Sequence, residues 1–280
     1  MSAAIALTGM AALGSPTSSV AALSSRGAAV STAAPSASGV TVQRAAASGC
    51  NTRLAGTTTR RAPGSGRTVA LTFDDSSATD MTSVLKILRR YGVRATFFDI
   101  GSEDAKMPAV VSAAARDGHL VEPHTWNHVY PSKANGNWSV PYLTREITTT
   151  ANQQQRLTGR RPCFFRPPGG NMNNVPATTR ALGLQNVLWS VDSRDWSEQR
   201  QLTRTATAGI VRRATDLRYA VDRNHPIVLM HAGKMSPEPK GHTFSDRPNT
   251  VAALPAVIEW YRARGYRFVA MDGTSGLVRP

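Results

Sequence analysis

Val69-Ala-Leu-Thr-Phe-Asp-Asp75 is a short apolar run that ends at two adjacent carboxylates. Apolar residues that do not alternate with polar ones, over a length too short for a helix, predict a strand buried on both faces. Asp74 and Asp75 would then end a strand of a parallel sheet, which is where α/β proteins place their active sites. An isolated Asp-Asp pair more often caps the helix that follows. Other stretches of the sequence are needed to tell whether Asp74 and Asp75 cap a helix or belong to an active site.

Strand-like and helix-like segments alternate from residue 67 to residue 271. Seven strands separated by helices predict parallel pairing with right-handed crossovers, and hence a barrel or a doubly wound sheet. The pattern alone does not choose between these two α/β architectures. The predicted strands lie at about 69–73, 94–101, 119–123, 163–166, 185–191, 226–231 and 266–271.

Residues 1–65 differ in composition from the rest of the chain. They are poor in charge and rich in Ala, Ser, Thr and Gly, which predicts an export signal with a flexible leader. The first 13 residues are as apolar as a signal-peptide core, although the first basic residue is Arg26. We therefore expect one folded domain over residues 66–273, a tail over 274–280, and a secreted or wall-associated protein. No stretch is long enough for a membrane span.

The chain is strongly basic. It carries 33 Lys and Arg against 18 Asp and Glu, a formal net charge of +15 over 280 residues. Such a charge favours polyanionic partners. The basic residues are scattered and no nucleic-acid motif with stacking aromatics accompanies them. We expect an anionic cell wall as the partner, and no nucleic acid.

Two cysteines, Cys50 and Cys163, are too few for a disulfide framework and lack the Cys-x-x-Cys spacing of a zinc site. A single bridge formed in an oxidising compartment is one interpretation of the pair. Two unrelated thiols are the other, and the sequence leaves both open.

Ionisable residues end five of the predicted strands. If the strands are parallel, their carboxyl ends meet on one rim. Taken singly, each residue has a structural explanation, such as a surface ion pair for Arg166 or a core histidine for His231. Agreement across five strands is harder to obtain by chance. The residues are Asp74, Asp75, His124, His128, Arg166, Asp192 and His231.

His124 and His128 are four residues apart, so in a helical turn both rings would face the same way. A carboxylate from another strand would complete a site with three ligands and an open position. Such a site suits a catalytic Zn²⁺, and other divalent ions also fit. The histidine pair is a weak signal alone, and the Asp74–Asp75 pair strengthens it.

Five motifs carry these residues in order along the chain: Thr72-Phe-Asp-Asp75, His124-Thr-Trp-Asn-His128, Arg166-Pro-Pro-Gly-Gly170, Asp192-Ser-Arg-Asp-Trp196 and Leu229-Met-His231. Together they resemble the motifs of the NodB-type polysaccharide deacetylases, the fourth family of carbohydrate esterases. The resemblance covers about residues 67–272. It implies a distorted (β/α) barrel of seven strands.

The resemblance also implies a metal centre with a base beside it. Asp75, His124 and His128 would bind a divalent ion, most simply Zn²⁺, with Co²⁺ as an alternative. Asp74 would be the general base, held by Arg166. Amide hydrolysis needs a polarised carbonyl, an activated water and a proton donor, so these roles suit the chemistry.

On the other side of the site, the resemblance implies that His231 is the general acid and that Asp192 orients it. The N–H of Gly169 would meet the oxyanion. Trp196 and Leu229 would line the pocket for the acetyl methyl group.

The chain departs from the family pattern at three places. Ser76 and Ser77 follow the Asp-Asp pair, where the family usually has Gly-Pro. Pro123 stands where Asn usually precedes the first histidine ligand. Gly169 stands in place of the usual Tyr, which removes a side-chain wall, and we expect a wider groove there. None of these changes removes a catalytic group.

The resemblance implies a metal-dependent hydrolase that removes N-acetyl groups from amino-sugar polymers such as peptidoglycan or chitin, and we expect a monomer. One alternative is O-deacetylation of acetylxylan, which the family also contains. An alternative of another class is a non-catalytic protein that binds cell-wall carbohydrate with the same barrel. Nucleic-acid binding is the least favoured of these hypotheses.

Overall fold

The computed structural model describes residues 50–76, 78–133, 137–198, 201–233 and 246–277. The export signal and most of the leader predicted within residues 1–65 lie outside the described residues, as do Ser77 and the last three residues of the predicted tail. The described strands are β1 (Thr58–Thr59), β2 (Thr68–Asp74), β3 (Thr96–Asp99), β4 (Leu120–Pro123), β5 (Phe164–Phe165), β6 (Gln185–Val187), β7 (Val191–Asp192), β8 (Ile227–His231) and β9 (Arg267–Phe268).

The described helices are α1 (Thr79–Tyr91), α2 (Gly101–Asp104), α3 (Pro108–Arg116), α4 (Val140–Thr158), α5 (Val175–Leu182), α6 (Arg204–Ala214) and α7 (Pro248–Arg262). Helix α4 begins where the Ser139 side chain accepts a hydrogen bond from the Tyr142 N–H. Gly92 ends α1 and Gly159 ends α4, both in the left-handed conformation that glycine adopts without strain. Among the described residues, no helix is long and apolar enough to cross a bilayer.

The strands form two sheets that together make a distorted barrel. The larger sheet has the order β4-β3-β2-β8-β7, with β9 also paired to β2, and the smaller has the order β1-β6-β5. The ladders between these described strands are parallel. The Arg166 N–H donates to the Pro123 carbonyl, which joins β5 to β4 across the two sheets. The predicted α/β barrel is thereby confirmed.

The fifth predicted strand, 185–191, is two strands in the structure. β6 pairs with β1 and β5 in the smaller sheet, whereas β7 pairs with β8 in the larger one. The chain crosses between sheets at residues 188–190, and this crossing contributes to the distortion of the barrel. Apolar periodicity reports burial, which continues through the crossing, and so it cannot show where a strand changes partners.

The folded domain begins earlier than the predicted boundary at residue 65. Thr58 and Thr59 of β1 pair with β6, and a disulfide joins Cys50 to Cys163 with a Cα–Cα separation of 5.0 Å. The expectation that residues 50–65 belong to the leader is therefore wrong. Their polar composition resembles a linker, but strand pairing and a covalent link hold them in the fold.

Strand β2 is the centre of the sheet and is buried at each of its residues, as its sequence predicts. Val69, Leu71 and Phe73 pack toward α1 and α7, and Ala70 packs into a second apolar cluster. In the parallel register of β2 with β8, Asp74 is the direct partner of His231. The pairing therefore brings the predicted base and acid to the same edge of the sheet.

Candidate metal centre and active site

Asp75, His124 and His128 come together at the carboxyl end of the barrel. One ligand atom from each lies within 4.8 Å of the others. Asp75 Oδ1 is 3.6 Å from His128 Nε2 and 3.8 Å from His124 Nε2. The predicted set of three metal ligands is thus assembled from the residue directly after β2 and the loop after β4.

The Asp75 carboxylate has the environment expected of a metal ligand. Its two oxygens are buried, and neither has a hydrogen-bond partner among the described residues. Burial raises the pKa of Asp75 to about 6. A buried carboxylate without donors is costly, and a divalent cation held between it and two imidazoles would remove that cost. The donor set of two nitrogens and one carboxylate suits Zn²⁺ or a similar ion.

A hydrogen bond to one ring nitrogen of His124 leaves the other nitrogen, Nε2, free to coordinate a metal ion. Its Nδ1 lies 2.6 Å from the Arg166 carbonyl oxygen, which can only accept a hydrogen bond. Nδ1 therefore carries the proton, and Nε2 presents its lone pair toward Asp75. Burial lowers the pKa of His124 to about 3, so the ring is neutral at physiological pH, as a ligand must be.

The two histidines lie in a loop and not in the helical turn that their spacing suggested. Their ring centroids are nevertheless 4.9 Å apart. Thr125 and His128 both have positive φ, 70° and 52°, which is uncommon for residues with a side chain. The backbone strain at these positions is the kind that surrounding contacts must hold in place, as occurs at functional sites.

Glu146 of α4 supplies such contacts. Its Oε2 accepts hydrogen bonds from the backbone N–H groups of Trp126 and Asn127 at 3.0 and 2.9 Å, and its Oε1 accepts one from the Asn127 side chain. Glu146 therefore holds the loop between the two histidine ligands. Sequence reasoning missed this residue, because a glutamate in an amphipathic helix gives no sign of the loop that it contacts.

Asp74 is held as predicted by Arg166. The guanidinium Nη1 lies 2.6 Å from Asp74 Oδ1 and 2.9 Å from the Thr72 hydroxyl, and Nε donates to the Val187 carbonyl. The Arg166 side chain is fully buried, with its guanidinium 4.2 Å from the centre of the Phe98 ring. The other oxygen, Asp74 Oδ2, lies 3.7 Å from His124 Nε2 and so faces the metal ligands.

His231 is oriented by Asp195. Asp195 Oδ1 is 2.8 Å from His231 Nδ1, and Oδ2 accepts hydrogen bonds from the His231 N–H at 2.7 Å and the Thr250 hydroxyl at 2.8 Å. The prediction that Asp192 orients His231 is therefore wrong. Asp192 ends β7 and accepts a hydrogen bond from the Arg194 N–H, whereas Asp195 lies in the turn after it, Asp195–Ser197, which directs its carboxylate to His231.

The charges of His231 and Asp195 determine the protonation state of both side chains. Burial alone would lower the pKa of His231, but the charge and hydrogen bond of Asp195, together with the charges of Asp75 and Asp74, raise it to about 9. Burial would raise the pKa of Asp195, yet the charge and hydrogen bonds of His231 bring it to about 2. The pair is therefore an imidazolium and a carboxylate at neutral pH.

The residues predicted to line the substrate site lie near this edge of the barrel. Gly169 lies in the turn Pro168–Gly170 with φ 60°. Leu229 is buried on β8, two residues before His231, and Trp196 is half-buried directly after Asp195. The ring of Tyr130 occupies the space next to the Gly169 α-carbon. The wider groove expected at Gly169 stays a prediction.

Comparisons with known proteins agree with this site. A family model described as polysaccharide deacetylase matches residues 61–187. The chain is 33% identical over 221 residues to a peptidoglycan-N-acetylglucosamine deacetylase of Bacillus cereus, covering 78% of this chain and 92% of the relative. It is 33% identical over 205 residues to a chitooligosaccharide deacetylase of a Bradyrhizobium species, covering 71% and 87%.

A solved structure is similar as well. The structure of a peptidoglycan N-acetylglucosamine deacetylase in complex with 4-naphthalen-1-yl-N-oxidanyl-benzamide superposes with a TM-score of 0.62 at 28% identity. The match covers 78% of this chain and 91% of that chain. With the five motifs in place on a shared fold, the chain belongs to the polysaccharide deacetylase family.

Proposed function

We propose that this protein is a divalent-metal-dependent deacetylase that hydrolyses N-acetyl groups of N-acetylglucosamine in a β-linked amino-sugar polymer, peptidoglycan or chitin. The observation that carries the proposal is the placement of Asp74 and His231, a carboxylate and an imidazolium, beside a buried Asp-His-His cluster. The names of the similar deacetylases support the substrate class.

Asp75, His124 and His128 would hold the ion. When bound, it would polarise the acetyl carbonyl and make water more acidic. The residues around it supply the proton transfers. Arg166 pairs with one oxygen of Asp74, so the other oxygen, which faces the site, can accept a proton from the attacking water.

His231 completes the reaction from the other side. As the bond between water oxygen and the carbonyl carbon forms, Asp74 takes the proton. As the C–N bond breaks, the imidazolium of His231 gives a proton to the departing nitrogen, since its Nδ1 is fixed by Asp195 and its Nε2 can deliver the proton. Acetate and a free amine are the products. The N–H of Gly169 remains our candidate for the donor to the oxyanion.

We also propose that the protein acts outside the cytoplasm, on an anionic cell wall. The Cys50–Cys163 disulfide supports this, because such bonds persist in oxidising compartments. The net charge of +15 supports attraction to an acidic polymer.

The proposal is tested by measuring acetate release from peptidoglycan, chitooligosaccharides and acetylxylan, each with and without a chelator. We expect release from the first or second substrate, loss with the chelator, and recovery with Zn²⁺ or Co²⁺. Asp74→Asn should lose roughly 10²- to 10⁴-fold in kcat, the usual contribution of a general base. Asp117→Asn, which alters a surface ion pair with Arg89, is the matched control.

Three results would point elsewhere. Release from acetylxylan alone would indicate an O-deacetylase. Retention on insoluble peptidoglycan with no acetate release from any substrate would indicate a non-catalytic binding protein. Turnover that is insensitive to complete removal of divalent ions would exclude the mechanism.

A further inference from the structure

Tyr130 occupies the position that a side chain at residue 169 would need. An ideal Cβ built on Gly169 would lie 2.5 Å from Tyr130 Cε1 and 3.1 Å from the Tyr130 hydroxyl oxygen. Real Cβ atoms essentially never approach other atoms as closely as the first of these distances. A side chain at residue 169 would therefore require the tyrosine ring to shift, and glycine lets the ring lie where it does.

The same ring packs against a metal ligand. The centroids of His128 and Tyr130 are 5.6 Å apart with an interplanar angle of 89°, an edge-to-face contact. Tyr130 thus lies against both His128 of the second motif and Gly169 of the third motif. Tyr130 belongs to a different segment of the chain from residue 169, yet its ring fills the space that a side chain at residue 169 would occupy.

The Tyr130 hydroxyl is available to a ligand. The side chain is half-buried, and no hydrogen bond joins its hydroxyl to any residue that the structure describes. Its ring is in edge-to-face contact with His128, one of the candidate metal ligands. The hydroxyl therefore lies at the edge of the candidate active site.

We propose that Tyr130 is a substrate-binding residue, whose ring forms the groove wall that Gly169 lacks and whose hydroxyl donates a hydrogen bond to the sugar that is being deacetylated. The inference rests on the proposed function, because it takes an amino-sugar polymer as the ligand. It assigns specificity to a residue outside the five motifs that mark the family in this chain.

Ligand binding and turnover of Tyr130→Phe test the proposal. We expect the dissociation constant of a β-1,4-linked N-acetylglucosamine tetramer, measured by calorimetry with Zn²⁺ present and in an Asp74→Asn background that prevents turnover, to rise roughly 3- to 10-fold, as for one lost neutral hydrogen bond. KM should rise by a similar factor with kcat nearly unchanged, because binding is lost equally in the ground and transition states. Tyr91→Phe is the matched control, since Tyr91 is also half-buried but ends α1, where its hydroxyl donates to Glu259.

A double-mutant cycle tests the shared volume. Gly169→Ala introduces a Cβ that must displace the Tyr130 ring, so it should weaken tetramer binding in the wild-type background. In a Tyr130→Ala background the same change should add little, because no ring remains to be displaced. Backbone strain from alanine at φ 60° is present in both backgrounds and cancels in the cycle.

The outcomes separate this inference from the proposed function. Tetramer binding that depends on Tyr130 without any acetate release would retain the inference and refute the function. Acetate release by Tyr130→Phe with wild-type affinity for the tetramer would retain the proposed function and refute the inference. A fall in kcat with KM unchanged would place the hydroxyl on the reacting group and overturn its assignment to the sugar, as would strictly additive effects in the cycle.

Discussion

The Asp195 carboxylate holds His231 at two points, with one oxygen 2.8 Å from the ring Nδ1 and the other 2.7 Å from the backbone nitrogen. A side chain bonded to both the ring and the backbone of one residue fixes its rotamer as well as its charge. Against the effect of burial, the charge and hydrogen bond of Asp195 raise the pKa of His231 to about 9, which favours a protonated ring at neutral pH.

Replacing Asp195 should therefore change the pH dependence of activity. A general acid works only while protonated, so kcat/KM falls as the pH rises through its pKa. Asp195→Asn removes the negative charge that raises this pKa, and we expect the alkaline limb to move to lower pH. A bound cation would also lower the pKa, so the comparison is between variants in the same metal. The measurement is the profile of kcat/KM from pH 6 to about pH 10, beyond the imidazole range.

Asp192→Asn is the variant to compare with Asp195→Asn. Asp192 has a weaker, purely electrostatic relation to His231 and no hydrogen bond to it in the structure. We expect a smaller shift of the alkaline limb. If Asp192→Asn shifted the alkaline limb as much as Asp195→Asn or more, Asp192 would be the residue that orients His231, as the motif suggested.

Arg166 should contribute to stability as well as to activity. Arg166→Met leaves the Asp74 carboxylate buried without its cation, and breaking a buried pair in this way costs about 3–5 kcal/mol. Adding Asp74→Asn removes the unpaired charge and should restore part of the loss. Urea denaturation of the two single variants and the double variant measures this coupling. Additive free energies would contradict the ion pair of the structure.

Glu146 should control metal affinity although it lies outside the ligand set. Glu146→Gln weakens the acceptor for the Trp126 and Asn127 N–H groups, and loss of such supporting contacts typically costs 10- to 100-fold in metal affinity. Competition with a chromogenic chelator measures the Zn²⁺ dissociation constant. Glu103→Gln, in an exposed pair with Lys106, is the control. Equal affinity in both variants would mean that the loop holds its strained conformation without Glu146.

The disulfide should stabilise the domain. Cys50 and Cys163 are 113 residues apart, so the bond restricts a long loop in the unfolded chain. Removing a bond of this kind typically costs about 2–5 kcal/mol. Thermal unfolding of Cys50→Ser/Cys163→Ser should show a lower Tm, and the Tm of the wild type should fall toward it in reductant. An unchanged Tm would contradict the inclusion of residues 50–65 in the fold.

The sequence predicted the parts of the site that lie at strand ends. Asp74, Asp75 and His231 follow from the burial of β2 and β8, because parallel strands bring their carboxyl ends together. His124, His128 and Arg166 follow from the ends of the third and fourth predicted strands in the same way, and the motifs added their roles. The barrel was predictable for the same reason, since alternating strands and helices allow few arrangements.

The remaining parts depend on contacts that sequence spacing does not encode. Asp192 and Asp195 are both acidic and in one motif, and only the turn at Asp195 decides which carboxylate reaches His231. Glu146 and Tyr130 act on segments to which no periodicity links them. Residues 50–65 join the fold through a two-residue strand and a disulfide, which are too short and too distant in sequence for composition to show.

The central claim is that Asp75, His124 and His128 hold one divalent ion on which acetate release depends. Titrating chelator-stripped protein with Zn²⁺, while following bound metal and acetate release from N-acetylglucosamine oligomers, tests it most directly. We expect activity to return in proportion to bound metal and to saturate at about one equivalent, with no comparable binding in Asp75→Asn. Full activity in the stripped protein, or wild-type metal affinity in Asp75→Asn, would contradict the account.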